Sequence, residues 1–98
     1  MTDIANNEQS KIDLLNRLSW ISFSNELSVL SLTQLQNFAM RVDAFKQRLR
    51  WLREPEILTG LSVMRVTPID DSNEGYYVDC TYISEKSDKP ESTVFFVN

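Results

Sequence analysis

One apolar seam constrains this chain more than any other feature. Leu35, Phe38, Val42, Phe45, Leu49 and Leu52 recur with spacings of 3, 4, 3, 4 and 3. Such spacing lines all six along one stripe of an α-helix. Ser31 and Gln34 stand just before the stripe as a capping box, where each side chain satisfies an orphan backbone amide of the first turn. Pro55 sets the far limit, because its ring cannot continue the hydrogen-bond ladder and disfavours a helical residue before it. The pattern predicts a helix of about 22 residues ending near Arg53, roughly 33 Å long at about 1.5 Å per residue.

After Pro55 the period changes from helical to alternating. Leu61–Thr67, Tyr76–Ser84 and Thr93–Val97 are rich in β-branched and aromatic residues and predict three strands. Polar turns at Asp70–Gly75 and Glu85–Pro90 separate them, and connections this short cannot carry the crossovers of a parallel sheet. Before the seam, residues 1–9 are polar and read as a frayed end, without the apolar core of a secretory signal. Ser10 then reads as an N-cap with Asp13 in the first turn, and Leu14, Leu18 and Ile21 predict a helix over 11–22. The stretch Phe23–Leu30 reads as the hinge between the helices. The expected fold is α+β: an N-terminal αα-hairpin packed on a three-stranded antiparallel β-meander, in one domain over 10–98.

Composition narrows the chemistry. The chain has no His and one Cys, Cys80. That removes the commonest general base, any Cys-His or Ser-His pair, and any zinc site needing several soft ligands. Cys80 cannot form an internal disulfide, so a reducing, cytoplasmic setting is the default expectation. With only Gly60 and Gly75, a glycine-rich phosphate cradle cannot be built. The run Asp70–Gly75 fails the calcium-loop pattern, because Ser72, Glu74 and Thr81 occupy places three, five and twelve. It reads as a hairpin turn. No apolar run approaches a membrane span. The expectation is therefore a chain that is not an enzyme and holds no cofactor. A small ligand-binding or catalytic domain ranks last.

The net charge of −4 hides an asymmetry. Residues 41–53 carry Arg41, Lys46, Arg48, Arg50 and Arg53 against Asp43, while residues 54–98 carry nine acids against three bases. Basic residues near a helix C-terminus complement its dipole and cover an apolar seam with their stems. They also suit an anionic partner. As a coiled-coil seam, with Leu35, Val42 and Leu49 at a, the helix would place base opposite base in a second copy, so it repels itself. Nearby acidic loops, Asp70–Glu74 and Glu85–Asp88, are expected close to the basic flanks. Trp20 and Trp51 read as packing residues, with Trp51 off the main seam beside Met40 and Ala44. Cys80 reads as a small buried hydrophobe.

Alternation along the strands leaves a surplus of apolar side chains. It assigns Tyr76, Val78, Cys80 and Tyr82 to one face of the second strand, and Tyr77, Asp79, Thr81 and Ile83 to the other. It separates Leu61, Val63 and Arg65 from Met64 and Val66, and Val94 and Phe96 from Phe95 and Val97. Two helices cover one face only. Either the hinge 23–30 or the loop Glu54–Gly60 folds over the second face, or that face is a docking surface. The leading expectation is a small acidic, non-catalytic protein-binding module (an adaptor, inhibitor or assembly factor). It would use the spare sheet face, through Tyr77 and Ile83, and the basic flank, through Arg41, Lys46, Arg48, Arg50, Trp51 and Arg53. Its partner is expected to be another protein, or a second copy docked through the sheet. The alternative is a nucleic-acid-associated factor using Lys46, Arg48, Arg50 and Arg53, which the acidic total disfavours.

Overall fold

A computed structural model describes residues 2–71 and 74–98, and for residues 2–7 the backbone alone. Helix α1 spans Thr2–Arg17, a 3₁₀ helix spans Ser24–Val29, and helix α2 spans Leu32–Arg50. Strands β1 (Leu58–Pro68), β2 (Tyr76–Ser84) and β3 (Ser87–Val97) follow and pair antiparallel in the order β1-β2-β3. The expected α+β arrangement of helices followed by a meander is the observed one.

The capping box starts α2 as the sequence indicates. Ser31 Oγ accepts from the Gln34 amide at 3.2 Å, and Gln34 Oε1 accepts from the Ser31 amide at 2.9 Å. Gln34 is thereby buried with its polar end satisfied. Leu35, Phe38, Val42 and Leu49 of the seam are buried, and Phe45 is half-buried. Three aromatic contacts clamp this stripe to the sheet. Phe38 meets Phe95 edge-on at 5.5 Å, Phe45 meets Phe95 at 5.6 Å, and Phe45 meets Tyr82 at 5.0 Å. Each such pair adds roughly 0.5–1.5 kcal/mol beyond area burial. The helix stops at Arg50 rather than near Arg53. The Trp51 amide closes on the carbonyls of Gln47 and Arg48, and the Glu56 amide returns to the Leu49 carbonyl. Leu52, the last seam position, therefore lies beyond the helix and is exposed.

The first helix differs more. It begins at Thr2, so Ser10 lies within it instead of capping it, and the polar stretch 2–9 is helical backbone. It ends at Arg17, not near 22. Leu18 and Ile21 still reach the core, but the chain between them must turn to meet the sheet. Ser22 makes two backbone hydrogen bonds with β1, its amide to the Leu61 carbonyl and its carbonyl from the Val63 amide, both at 2.9 Å. That bridge is parallel to β1. Phe23 then adopts a left-handed conformation, φ 60°, to reverse the chain into the 3₁₀ helix. Leu27 and Leu30 insert into the same core as α2.

A β-bulge decides which face of β1 is buried. The register pairs Val63 with Cys80 and Arg65 with Asp79, leaving Met64 as an extra residue. Strict alternation would put Arg65 inward with Leu61 and Val63. The bulge reverses parity beyond Val63, so Val66 packs on the core and Arg65 turns outward opposite Asp79. This corrects the division of β1 that alternation implies. The turn between β2 and β3 also differs, since Glu85 and Lys86 alone connect them and β3 begins at Ser87. Asp88, Lys89 and Pro90 bulge opposite Ile83, which suits a proline to an edge strand. Within the turn expected at Asp70–Gly75, Ser72 and Asn73 lie outside the described residues. Its closure is visible as a hydrogen bond from the Ile69 amide to the Gly75 carbonyl.

Deletion of Met64 closes the bulge and leaves Val63 and Val66 inward with Arg65 outward opposite Asp79, so it is expected to cost no more than about 1–2 kcal/mol in urea unfolding. Met64→Ala, which keeps the bulge at an exposed side chain, is expected to change stability by no more than about 0.5 kcal/mol.

Candidate functional site

The sequence-derived candidates fall on two separate surfaces. The clamp through Phe38, Phe45 and Phe95 fixes the rotation of α2. At about 100° per residue, Arg41 and Arg48 then share one flank of the helix. Lys46 and Arg50 share another, roughly 140–180° away around the circumference. The basic residues thus occupy two flanks, divided by the buried stripe.

The first surface joins α2 to the far side of the sheet. Arg41 and Arg48 line a depression of about 250 Å³ with Thr93, Val94, Phe95 and Phe96. The Arg41 guanidinium lies 6.0 Å from the Phe96 ring centre, at the outer limit of a cation–π contact. Its Nε donates to Asn37 Oδ1 at 2.9 Å. Phe96 in turn contacts Tyr77 edge-on at 5.6 Å. Beyond these rings the outward face of the sheet carries Met64, Val94 and Ile83, exposed by 59%, 54% and 36%. Neither segment expected to cover this face does so. The 3₁₀ helix packs on the core side through Leu27 and Leu30. The loop after α2 is held near the helix end by the Glu56–Leu49 hydrogen bond and by the Glu85 amide to the Ile57 carbonyl. Tyr77 and Ile83 therefore sit where the sequence placed them, on an open sheet face.

The second surface is built around Lys46. Its Nζ lies 4.2 Å from the Trp20 ring centre, a close cation–π contact that also shields part of the indole. Lys46, Arg50, Asp43 and Gln47 line a shallow depression of about 430 Å³ with Trp51. Trp51 is 81% exposed, which overturns its reading as a packing residue. It caps the C-terminus of α2 with its backbone and leaves the indole in solvent. Arg53 follows in the exposed turn. Helical spacing could not find this, because the helix ends one residue before Trp51.

Lys86 and Glu54 form an ion pair at 3.4 Å, at the far end of the sheet from the Arg41–Phe96 contact. None of Arg41, Lys46, Arg48, Arg50 and Arg53 has a described carboxylate within ion-pair distance. Among the described residues there is no cluster of His, Cys, Asp or Glu able to hold a metal ion. No described helix is long and apolar enough to cross a membrane.

Two titratable groups are displaced. Burial, then the neighbouring Asp79 charge, pushes the Cys80 thiol from 9.0 up to about 12. Tyr82 donates to Glu91 Oε2 at 2.7 Å, and this bond is the main reason its phenol rises from 10.0 to about 12. Both groups are neutral at physiological pH, and Cys80 is inert as a nucleophile there. Comparison with known proteins adds no relative: no family model, curated protein or solved structure matches this chain.

The raised thiol value sets a pH dependence. The folded state holds the Cys80 proton more tightly than the unfolded chain, so its contribution is complete below pH 9 and is lost as pH rises towards 12. The urea midpoint should fall above about pH 9, with a shallower slope in Cys80→Ala. Iodoacetamide at pH 8 should label native Cys80 only as fast as the chain unfolds. Trp51→Ala should shift the urea midpoint by less than about 0.5 kcal/mol equivalent, since its indole packs on nothing buried.

Proposed function

We propose that this chain is a small, non-catalytic protein-binding module. The observation that carries the reading is the open sheet face, where Met64, Tyr77, Ile83, Val94 and Phe96 are exposed together. Contiguous apolar surface rimmed by charge is typical of docking sites. Arg41 and Arg48 supply the rim beside Phe96, and Asp79 with Arg65 supplies charge within it. Aromatic and arginine side chains are the residues most often found to dominate binding energy. An adaptor, an inhibitor and an assembly factor all fit this surface.

A second reading has its own observation. Trp51 stands in solvent beside Arg50 and Lys46, and an exposed ring among bases is the arrangement on which single-stranded nucleic acid stacks. That surface is separate from the sheet face, so the two readings can be tested apart.

Affinity capture from source lysate, with and without nuclease, tests both. The protein-binding reading expects a stoichiometric protein that survives nuclease with the wild type. It is expected to be lost with Met64→Ser/Tyr77→Ser/Ile83→Ser, provided that variant keeps the wild-type circular dichroism spectrum. Recovery of the same protein by wild type and variant would refute the sheet-face assignment. Nucleic acid captured in a salt-sensitive manner and lost with Arg50→Glu/Trp51→Ala would favour the second reading instead.

A further inference from the structure

The two edges of the sheet are not equivalent. The middle of the outer edge of β1 is occupied at Leu61–Val63, because Ser22 pairs there in parallel through two backbone hydrogen bonds. The outer edge of β3 has no described strand beside it. The first half of that edge is unsuited to pairing, since Asp88, Lys89 and Pro90 form a bulge and Pro90 has no amide to donate. From Ser92 to Val97 the register against β2 is regular. Every second residue of this stretch turns its N–H and C=O outward.

The edge has a wall. Helix α2 runs beside it and places Arg41 and Arg48 over Thr93–Phe96, forming the 250 Å³ depression between helix and strand. Arg41 reaches from the helix side of the sheet to Phe96, whose ring belongs to the opposite face, so its side chain passes across the edge. The residues lining this groove include two bases and no acid. Glu91, the nearest acid along β3, is hydrogen-bonded to Tyr82. A strand added here would alternate its side chains between two environments. One set would lie on the helix side, against the guanidinium groups. The other would lie on the open face, against Val94 and Phe96.

We propose that the groove between α2 and β3 binds an extended segment of a partner protein by strand addition to β3, and that this segment alternates acidic and apolar residues. The acids meet Arg41 and Arg48, the apolar side chains extend the row formed by Val94 and Phe96, and the backbone pairs with Ser92–Val97. A second copy of this chain is the poorer occupant. Antiparallel pairing of Thr93–Val97 with itself brings the Arg41 and Arg48 pairs of both copies together, and like charges so placed repel. The inference rests on the protein-docking reading and narrows it to one edge and one partner chemistry.

The probe is an acetylated, amidated heptapeptide alternating glutamate and valine, titrated into the ¹⁵N-labelled full chain and followed by amide chemical shifts. Saturable shifts are expected in Ser92–Val97 and at Arg41 and Arg48. Affinity should fall about tenfold or more in Arg41→Glu/Arg48→Glu, as expected for lost charge-assisted contacts. It should be abolished when lysine replaces glutamate or when alternate peptide amides are methylated. Arg41→Gln/Arg48→Gln, which removes charge with less repulsion, should give an intermediate loss. The proposal is overturned by no shift at millimolar peptide, by shifts confined to the Lys46–Trp51 surface, or by indifference to amide methylation. Concentration-dependent shifts of the β3 edge without peptide would overturn it in favour of self-association. The same peptide is added to the affinity capture. A captured protein that is lost with the sheet-face variant, yet is neither displaced by peptide nor affected by Arg41→Glu/Arg48→Glu, refutes the groove and leaves the docking reading standing.

Discussion

The aromatic clamp between α2 and the sheet is the contact on which the rest of the molecule depends. Phe95 receives Phe38 and Phe45, which lie about two turns apart on the helix, and Phe45 also reaches Tyr82 on the central strand. These contacts seat the helix against β2 and β3 at once. Because they fix its rotation, they also decide where each basic residue points. Arg41 and Arg48 fall to the β3 side, and Lys46 and Arg50 fall to the side of Trp20. The charge pattern of the surface is thus set by packing inside.

The Met64 bulge plays the same part for the sheet. A regular β1 would have to bury Arg65 or expose Val66. Buried unpaired charge costs far more than a local break in the ladder. One unpaired residue resolves this and turns Arg65 towards Asp79 on the open face. The remaining apolar groups on that face have no such explanation within the chain. Their exposure follows from the topology, since α1, the 3₁₀ helix and α2 all contribute to one core. Among the described residues, no further element lies over the second side.

Charge adds a second asymmetry. The total of −4 argues against a chain that coats itself on polyanions, but local potential is set by what lies within a Debye length of about 8–10 Å. Five bases between residues 41 and 53 stand without described carboxylate partners, while the excess of acid is spread over the sheet half. Association driven by such patches would be orientation-specific and salt-sensitive.

Much of this architecture was present in the order of residues. The 3–4 spacing from Leu35 to Leu49, the Ser31/Gln34 box and Pro55 determined α2, because helix periodicity and capping are local properties. The switch to alternation after Pro55 determined a meander for the same reason. The boundaries of α1 were not legible, since its end depends on Ser22 pairing with a strand some forty residues away. The bulge at Met64 was not legible either; it answers a conflict between Arg65 and a core that exists only once β1 meets β2. Tyr77 and Ile83 could be assigned to one face from parity alone, but that no described element covers the face is a tertiary fact. So is the exposure of Trp51; the division of the basic run into two flanks, by contrast, follows from helical spacing alone. Local hydrogen bonding and hydrophobic period act between neighbours in the chain, and the sequence by itself determined what they control. Which side of each element meets solvent, and which residues meet across elements, was decided only when the helices and strands competed for one core.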